Sequence, residues 1–316
     1  SLELFLERDQ DNIMRDVAWE RLYQLSVYEY SAESINAFAM KYPEYPHLEK
    51  LQLDLSFMDF ALLPFELKGK YGFMDNLGVQ VIAPIYQSVS TFKEGLALVS
   101  INDKFGYINK KGDVVIDFLY SGGADFEHGR AIIERFERYG MIDRTGAVIF
   151  EPEFKDLGAI SEDLLYGLKD RLFGYYNTIG EQVIAERFSE AFSFSNGKAK
   201  VEEKGLQGYI DTKGKYIVHP AFEEIHFFTD SLIIYGNGES FGLMKPTCQI
   251  IIPNKYDQIG QLSEGLAIVV YDGSLGYINA RGEEVIAPQF DLIPNYMNRC
   301  QFKEGSAIVA KNNNYG

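Results

Sequence analysis

The chain has 316 residues, 46% hydrophobic and 14% aromatic, with 30 Lys and Arg against 46 Asp and Glu for a net charge of −16. That length holds one large repeat domain or two ordinary ones, with ample material for a core. So acidic a chain excludes a nucleic-acid partner and argues against an anionic membrane surface, because both depend on cationic side chains meeting phosphates. No apolar run reaches the roughly 18 residues that a membrane-spanning helix needs.

Residues 1–56 read as helical. Met14, Ala18, Leu22 and Leu25 follow at steps of four, four and three, which predicts one helical face. Ser31 is a suitable N-cap with Glu33 in the first turn, and Ile35, Phe38 and Ala39 form a second stripe. Pro43 and Pro46 end that helix, and a third is expected from His47 to Leu55. Residues 32–51 resemble a tetratricopeptide-type helical hairpin. The segment is expected to cap the exposed edge of the first repeat, with a separate interaction module as the alternative.

From Phe57 the chain is periodic. Gly72, Gly106, Gly140, Gly174, Gly208, Gly242 and Gly276 each stand 34 apart (106 − 72 and onward). Tyr86, Tyr120, Phe154, Phe188, Phe222, Tyr256 and Phe290 keep the same period. Asp or Asn at 75, 109, 143, 177, 211 and 279 is followed three residues later by Gly78, Gly112, Gly146, Gly180, Gly214 and Gly282. That spacing predicts a type I turn closed by a left-handed glycine, a hairpin with a glycine bulge. The sixth repeat carries Lys245 and Cys248 instead, which predicts a differently built turn. Leu96–Ile101 and Phe105–Asn109 read as strands around an Asn102-Asp103 turn, taken as the link between repeats. Each repeat is thus a meander of three strands, with a fourth near the periodic aromatic. Pro84, Pro152, Pro220, Pro253 and Pro288 are expected just beyond the third strand, where pairing ends. The last repeat holds six extra residues (40 − 34) within Pro294–Gln301, an insertion expected on a loop.

The run from Tyr71-Gly72 to Tyr86, followed by Phe92-Lys93-Glu94-Gly95, resembles the bacterial WG-repeat family. The likeness spans residues 57–316 and recurs seven times. The family is named for a Trp-Gly pair, but the first member here is Tyr71, Phe105, Tyr139, Phe173, Gln207, Phe241, Leu275 and Tyr315. The resemblance implies a β-rich repeat fold and no assigned activity, and it brings no catalytic residues.

Nothing in the sequence assembles a catalytic or metal-binding motif. Only His219 and His226 of the four histidines (His47 and His128 are the others) lie near each other. Glu94, Glu162, Asp230, Glu264 and Glu304 recur near one position, and paired carboxylates are the chemistry of glycoside hydrolysis. A residue present in every repeat is better read as structural, since catalysis needs one asymmetric cluster, so the hydrolase reading is remote. Cys248 and Cys300 read as ordinary apolar residues. Core aromatics aside, Tyr107, Tyr175, Tyr209 and Tyr277 are the rings best suited to face a ligand, since a phenol joins apolar area to a polar tip.

The expected molecule is mainly β, with a helical segment over 1–56 and a repeat array over 57–316. An open superhelical array is favoured over a closed propeller. Its expected function is non-enzymatic binding or scaffolding of a protein partner, needing no cofactor. Glycan or cell-wall polymer binding through the tyrosines is the alternative. The first residue, Ser1, suggests a trimmed product and Asn314-Tyr315-Gly316 the start of an eighth repeat, with a cell-envelope or secreted location favoured over the cytoplasm. One consequence is directly testable. Replacing Gly112 by Val places a β-branched residue at positive φ and should cost more than about 1 kcal/mol, read as a lowered denaturation midpoint.

Overall fold

The structure, a computed structural model, describes residues 2–8, 14–27, 30–58, 61–312 and 314–316. The chain divides into two compact units, residues 1–170 with 176–182, and residues 171–175 with 183–316.

The first unit opens with helices α1 (Leu2–Arg8), α2 (Arg15–Ser26), α3 (Ala32–Lys41) and α4 (Leu48–Met58). Ser31 caps α3, with the Ser31 and Ser34 side chains closing a reciprocal box. The buried face of α2 is not the expected one. Ala18 and Leu22 are inside, but Met14 and Leu25 are exposed, and Trp19 and Tyr23 take their place. The two large rings bury more area than Met and Leu and turn the helix toward Phe38 and Tyr45, which they meet edge-on or tilted. Phe57 and Met58 belong to α4 rather than to the first repeat, and Asp59 and Phe60 lie outside the described residues.

Strands β1 (Leu63–Leu67), β2 (Lys70–Met74) and β3 (Gln80–Tyr86) form a three-stranded antiparallel sheet. Strands β4 (Ser88–Val89), β5 (Leu96–Ile101), β6 (Lys104–Asn109) and β7 (Val114–Tyr120) make the next, in the order β4-β5-β6-β7. Five more four-stranded sheets of this order follow, within 122–154, 156–188, 190–222, 224–256 and 258–291. A two-stranded ladder, Ala310–Lys311 with Asn314–Tyr315, ends the chain. The fold is therefore mainly β, a tandem series of antiparallel meanders behind four short helices.

The sheet boundary falls after the periodic aromatic, so the Asn102-Asp103 hairpin lies inside a sheet and not between repeats. Both residues take left-handed φ (51° and 58°) and join β5 to β6 in a two-residue turn whose twist suits paired strands. A second such turn, Glu94-Gly95, has φ of 49° and 79°. It is closed by reciprocal hydrogen bonds between Lys93 and Leu96. The Asn109–Asp113 turn is the expected one. Gly112 N–H donates to Asn109 O and sits at φ 90°, while Asn109 Oδ1 accepts from Lys111 N–H and Asp113 N–H. Gly78, Gly146, Gly180, Gly214 and Gly282 are also left-handed.

The periodic glycine and the periodic aromatic prove to be two sides of one feature. Phe105 pairs with Tyr120 across β6 and β7, as Tyr71 does with Tyr86 and Tyr139 with Phe154. Between those partners the outer strand bulges, because Tyr107 pairs with Ile116. The bulge brings the Ile116 carbonyl oxygen to 2.5 Å from where a Gly106 Cβ would stand. No other residue fits there, so Gly recurs whatever precedes it. The prolines belong to the same bulge. Pro84 lies within β3 and Pro152 within Val148–Phe154, not beyond the strand as expected. These are outer strands, so a missing N–H leaves no ladder partner wanting.

The sixth repeat corrects a further expectation. Lys245 N–H donates to Gln249 O and Cys248 N–H to Lys245 O, with Cys248 at φ 63°, so the turn is built like the others. The hydrogen bonds and flanking strands impose the conformation, and the cysteine bears the strain. Cys248→Gly should stabilise the protein by about 0.5–1 kcal/mol, the relief of a left-handed non-glycine residue less glycine's larger unfolded-state entropy. Urea denaturation measures this, and an unchanged or lower midpoint would contradict it.

Candidate interaction surfaces

The four tyrosines sit mostly indoors. Tyr107, Tyr175 and Tyr277 are at most 1% exposed, and Tyr209 is half-buried. Their hydroxyls reach into the next stretch of chain. Tyr107 donates to Ala124 O at 2.7 Å, Tyr175 to Phe192 O at 2.8 Å and Tyr277 to Cys300 O at 2.7 Å. Each ring also meets an aromatic of that stretch, namely Phe126, Phe194 and Phe302. Burial pushes the Tyr277 hydroxyl up to about 12 and Tyr107 higher. The expectation that these three rings face a ligand is therefore corrected: a phenol one sheet deep is a core group whose polar tip finds a backbone carbonyl. The six-residue insertion forms the short helix Tyr296–Arg299 just before Cys300, and the tyrosine bond persists across it.

Two of the recurrent carboxylates serve the same joints. Glu94 Oε2 accepts from Gly129 N–H of the next repeat at 2.9 Å, and Glu264 accepts from Glu304 N–H and Gly305 N–H. His219 stacks on Tyr216 and His226 pairs with Glu224 at 3.0 Å, so the structure draws each to its own neighbour. Cys248 is exposed and Cys300 buried, and both are free thiols. Among the described residues no group of three or more His, Cys, Asp and Glu is placed to hold a metal.

Two surfaces of the first unit differ from this repetitive interior. The first is the outer strand of each sheet. β3 exposes Val79 just before it, then Val81 and Ile85; β7 exposes Val114, Val115 and Leu119; the matching strand exposes Val148. Each is an edge, paired on one side only. Apolar β-branched residues on an unpaired edge are a template for another strand.

The second is the seam between the helices and the repeats. The helices do not cover β1, four of whose five residues are exposed. They rest on turns instead. Arg144, in the third repeat's Asp143–Gly146 turn, is 4% exposed; it donates from Nη1 to Val27 O and stacks 4.5 Å from the Tyr30 ring centroid. Tyr30 and Tyr23 both donate to the Asp54 carboxylate, at 2.8 and 2.6 Å. Burial and the Asp54 charge push both phenols well above their ordinary range. Burial likewise raises Glu94 nearby. Arg21 adds a contact of 3.4 Å to Asp143. The Tyr30 ring packs against Gly95, where a side chain would collide with it. A cavity of about 270 Å³ opens beside this cluster, with Lys50 and Glu20 paired at its rim. Sequence reading missed the seam. Arg144 occupies an ordinary turn position, and nothing in its spacing ties it to Tyr30 or Asp54.

Sheets of one design, several of them tied onward by a tyrosine or a glutamate hydrogen bond, define a tandem β-repeat protein. The chain belongs to the WG repeat family, whose repeat matches residues 71–105, 105–135, 139–167, 173–206, 208–239, 241–274 and 276–315. No curated protein gives a match. Solved structures similar to it include Hsv2 of Kluyveromyces lactis (10% identity, TM-score 0.32, covering 66% of this chain and 75% of that one). A eukaryotic initiation factor (11%, 0.38, 73% and 74%) and the dihydro-haem d1 dehydrogenase NirN (12%, 0.34, 71% and 63%) are others.

Arg144→Ala should loosen the helices without unfolding the sheets. Losing a desolvated cation–π contact and a charged hydrogen bond, partly offset by removing a buried Nε that has no partner, costs about 2 kcal/mol. Limited proteolysis should then release the helical segment faster, while β-sheet circular dichroism is unchanged. Equal release from both proteins would refute the clamp.

Proposed function

We propose that this protein is a non-enzymatic binding scaffold that holds protein partners on its repeat surface. One observation carries the reading: the outer strands β3 and β7 present apolar side chains on unpaired edges, while Tyr107 and Glu94 are engaged in joining sheet to sheet. Such an edge takes an extended segment through main-chain hydrogen bonds, with alternate side chains supplying selectivity. The net charge of −16 favours partners with a basic extended segment.

The test is affinity capture with the intact chain beside a double variant, Val81→Lys with Val115→Lys. Both positions are more than a third exposed, so the fold should survive and the midpoint of denaturation should shift by less than about 0.5 kcal/mol. A partner captured by the parent and lost in the variant is the expected result. Capture of nothing specific, or of the same partner by both, would refute it.

A further inference from the structure

We infer that the second unit carries a binding site for a small acidic sugar, a pyranose bearing one carboxylate, in the cleft between Phe192 and Phe227 where the repeat pattern breaks.

The break is chemical. In two other sheets the residue opposite the sheet-joining tyrosine is aliphatic: Leu98 faces Tyr107 and Ile268 faces Tyr277. In the 190–222 sheet it is Lys200, facing Tyr209. Lys198 stands two residues earlier and so projects from the same face. Two aromatics are added as well. Phe192 stands where other sheets have Ser90, Ala124, Gly158, His226 or Gly260, and Phe227 where they have Thr91, Asp125, Ala159, Ser193 or Gln261. All four groups, with Tyr209, line one cavity of about 320 Å³. A volume of that size suits a ligand of one or two rings.

Their placement is fixed. The Phe192 carbonyl receives the Tyr175 hydroxyl, which anchors that residue, and its ring remains 43% exposed. Lys200 Nζ lies 4.7 Å from the Phe192 ring centroid and Lys198 Nζ 4.3 Å from that of Phe227. Tyr209 packs on Phe227 at 4.6 Å, and its hydroxyl bonds to the Phe227 backbone rather than to a carbonyl 17 residues on as in Tyr107. That shift leaves Tyr209 half-buried while its counterparts are enclosed. Lys198 also touches Asp230 at 3.5 Å, but that carboxylate is fully exposed and such a pair is readily exchanged for another anion.

The site therefore offers the part-exposed Phe192 ring, two ammonium groups lying against Phe192 and Phe227, and Ser193 and Ser195 in its lining. A pyranose stacks on a ring, its carboxylate meets the ammoniums, and its hydroxyls bond to serine. The surrounding net charge of −16 opposes a long polyanion but acts weakly on a single charge, since salt screens it within about 8 Å. This site is separate from the outer edges of the first unit and stands or falls independently of them.

Saturation-transfer NMR on the full chain with D-glucuronate, D-glucose and benzoate tests it. Transfer to glucuronate is expected, with at most weak transfer to glucose. Lys200→Leu and Phe192→Ala should each reduce glucuronate affinity by about tenfold or more. Both install residue types that other sheets already hold at these positions, so neither should lower the thermal midpoint. The inference is overturned by no transfer from glucuronate, by transfer that survives both substitutions, or by benzoate displacing glucuronate more effectively than glucuronate itself competes.

Discussion

A four-stranded sheet of this size cannot enclose its own apolar face, and everything else in the molecule depends on how the next sheet closes it. The closing contact is a buried tyrosine. Tyr107 carries its ring onto Phe126 and its hydroxyl to Ala124 O, so one side chain supplies apolar area and a directional bond together. Glu94, reaching Gly129 N–H, adds a second bond at the neighbouring turn. An unpaired carbonyl or amide at such a joint would be expensive, so the bonds fix the register of one sheet on the next as firmly as the packing does.

Repetition explains the place of much of the conspicuous chemistry in this chain. Glycines that recur every 34 residues answer the same local need each time, a tight approach or a left-handed turn, and Tyr107, Tyr175, Tyr277, Glu94 and Glu264 each serve a joint. The informative positions are those where one repeat does something the others do not. Arg144 leaves an ordinary turn to hold Tyr30 and the Val27 carbonyl. Lys200 interrupts an apolar column. Cys248 stands where glycine belongs and takes glycine's conformation, because the ladder on either side leaves no alternative.

Some of this was readable directly. The period, the turn chemistry of Asn109 and Gly112, the N-cap at Ser31 and the family resemblance all rest on local rules. Other features were misplaced for reasons that can be named. Pro84 was expected after its strand because proline breaks ladders, yet an edge strand with a bulge has no ladder on that side to break. Periodicity predicts Met14, Ala18, Leu22 and Leu25 on the buried face of α2 because it counts apolar residues alike; Ala18 and Leu22 are there, whereas Trp19 and Tyr23 take the places of Met14 and Leu25. The lysines and phenylalanines at 192–227 carry no motif of their own, and their convergence on one cavity depends on strand pairing that the sequence does not record.

The sequence by itself determined the repeating β-meander, its turns, its helical front end and the period of its glycines, because each follows from backbone sterics and hydrogen bonds within a few residues or from a fixed period. Tertiary structure alone decided which tyrosines are core and which one opens to a cavity, that the helices rest on turns rather than on the first strand, and which strand edges are left unpaired. Those outcomes depend on what lies across a joint, one sheet or many residues away, and a linear pattern does not record that distance.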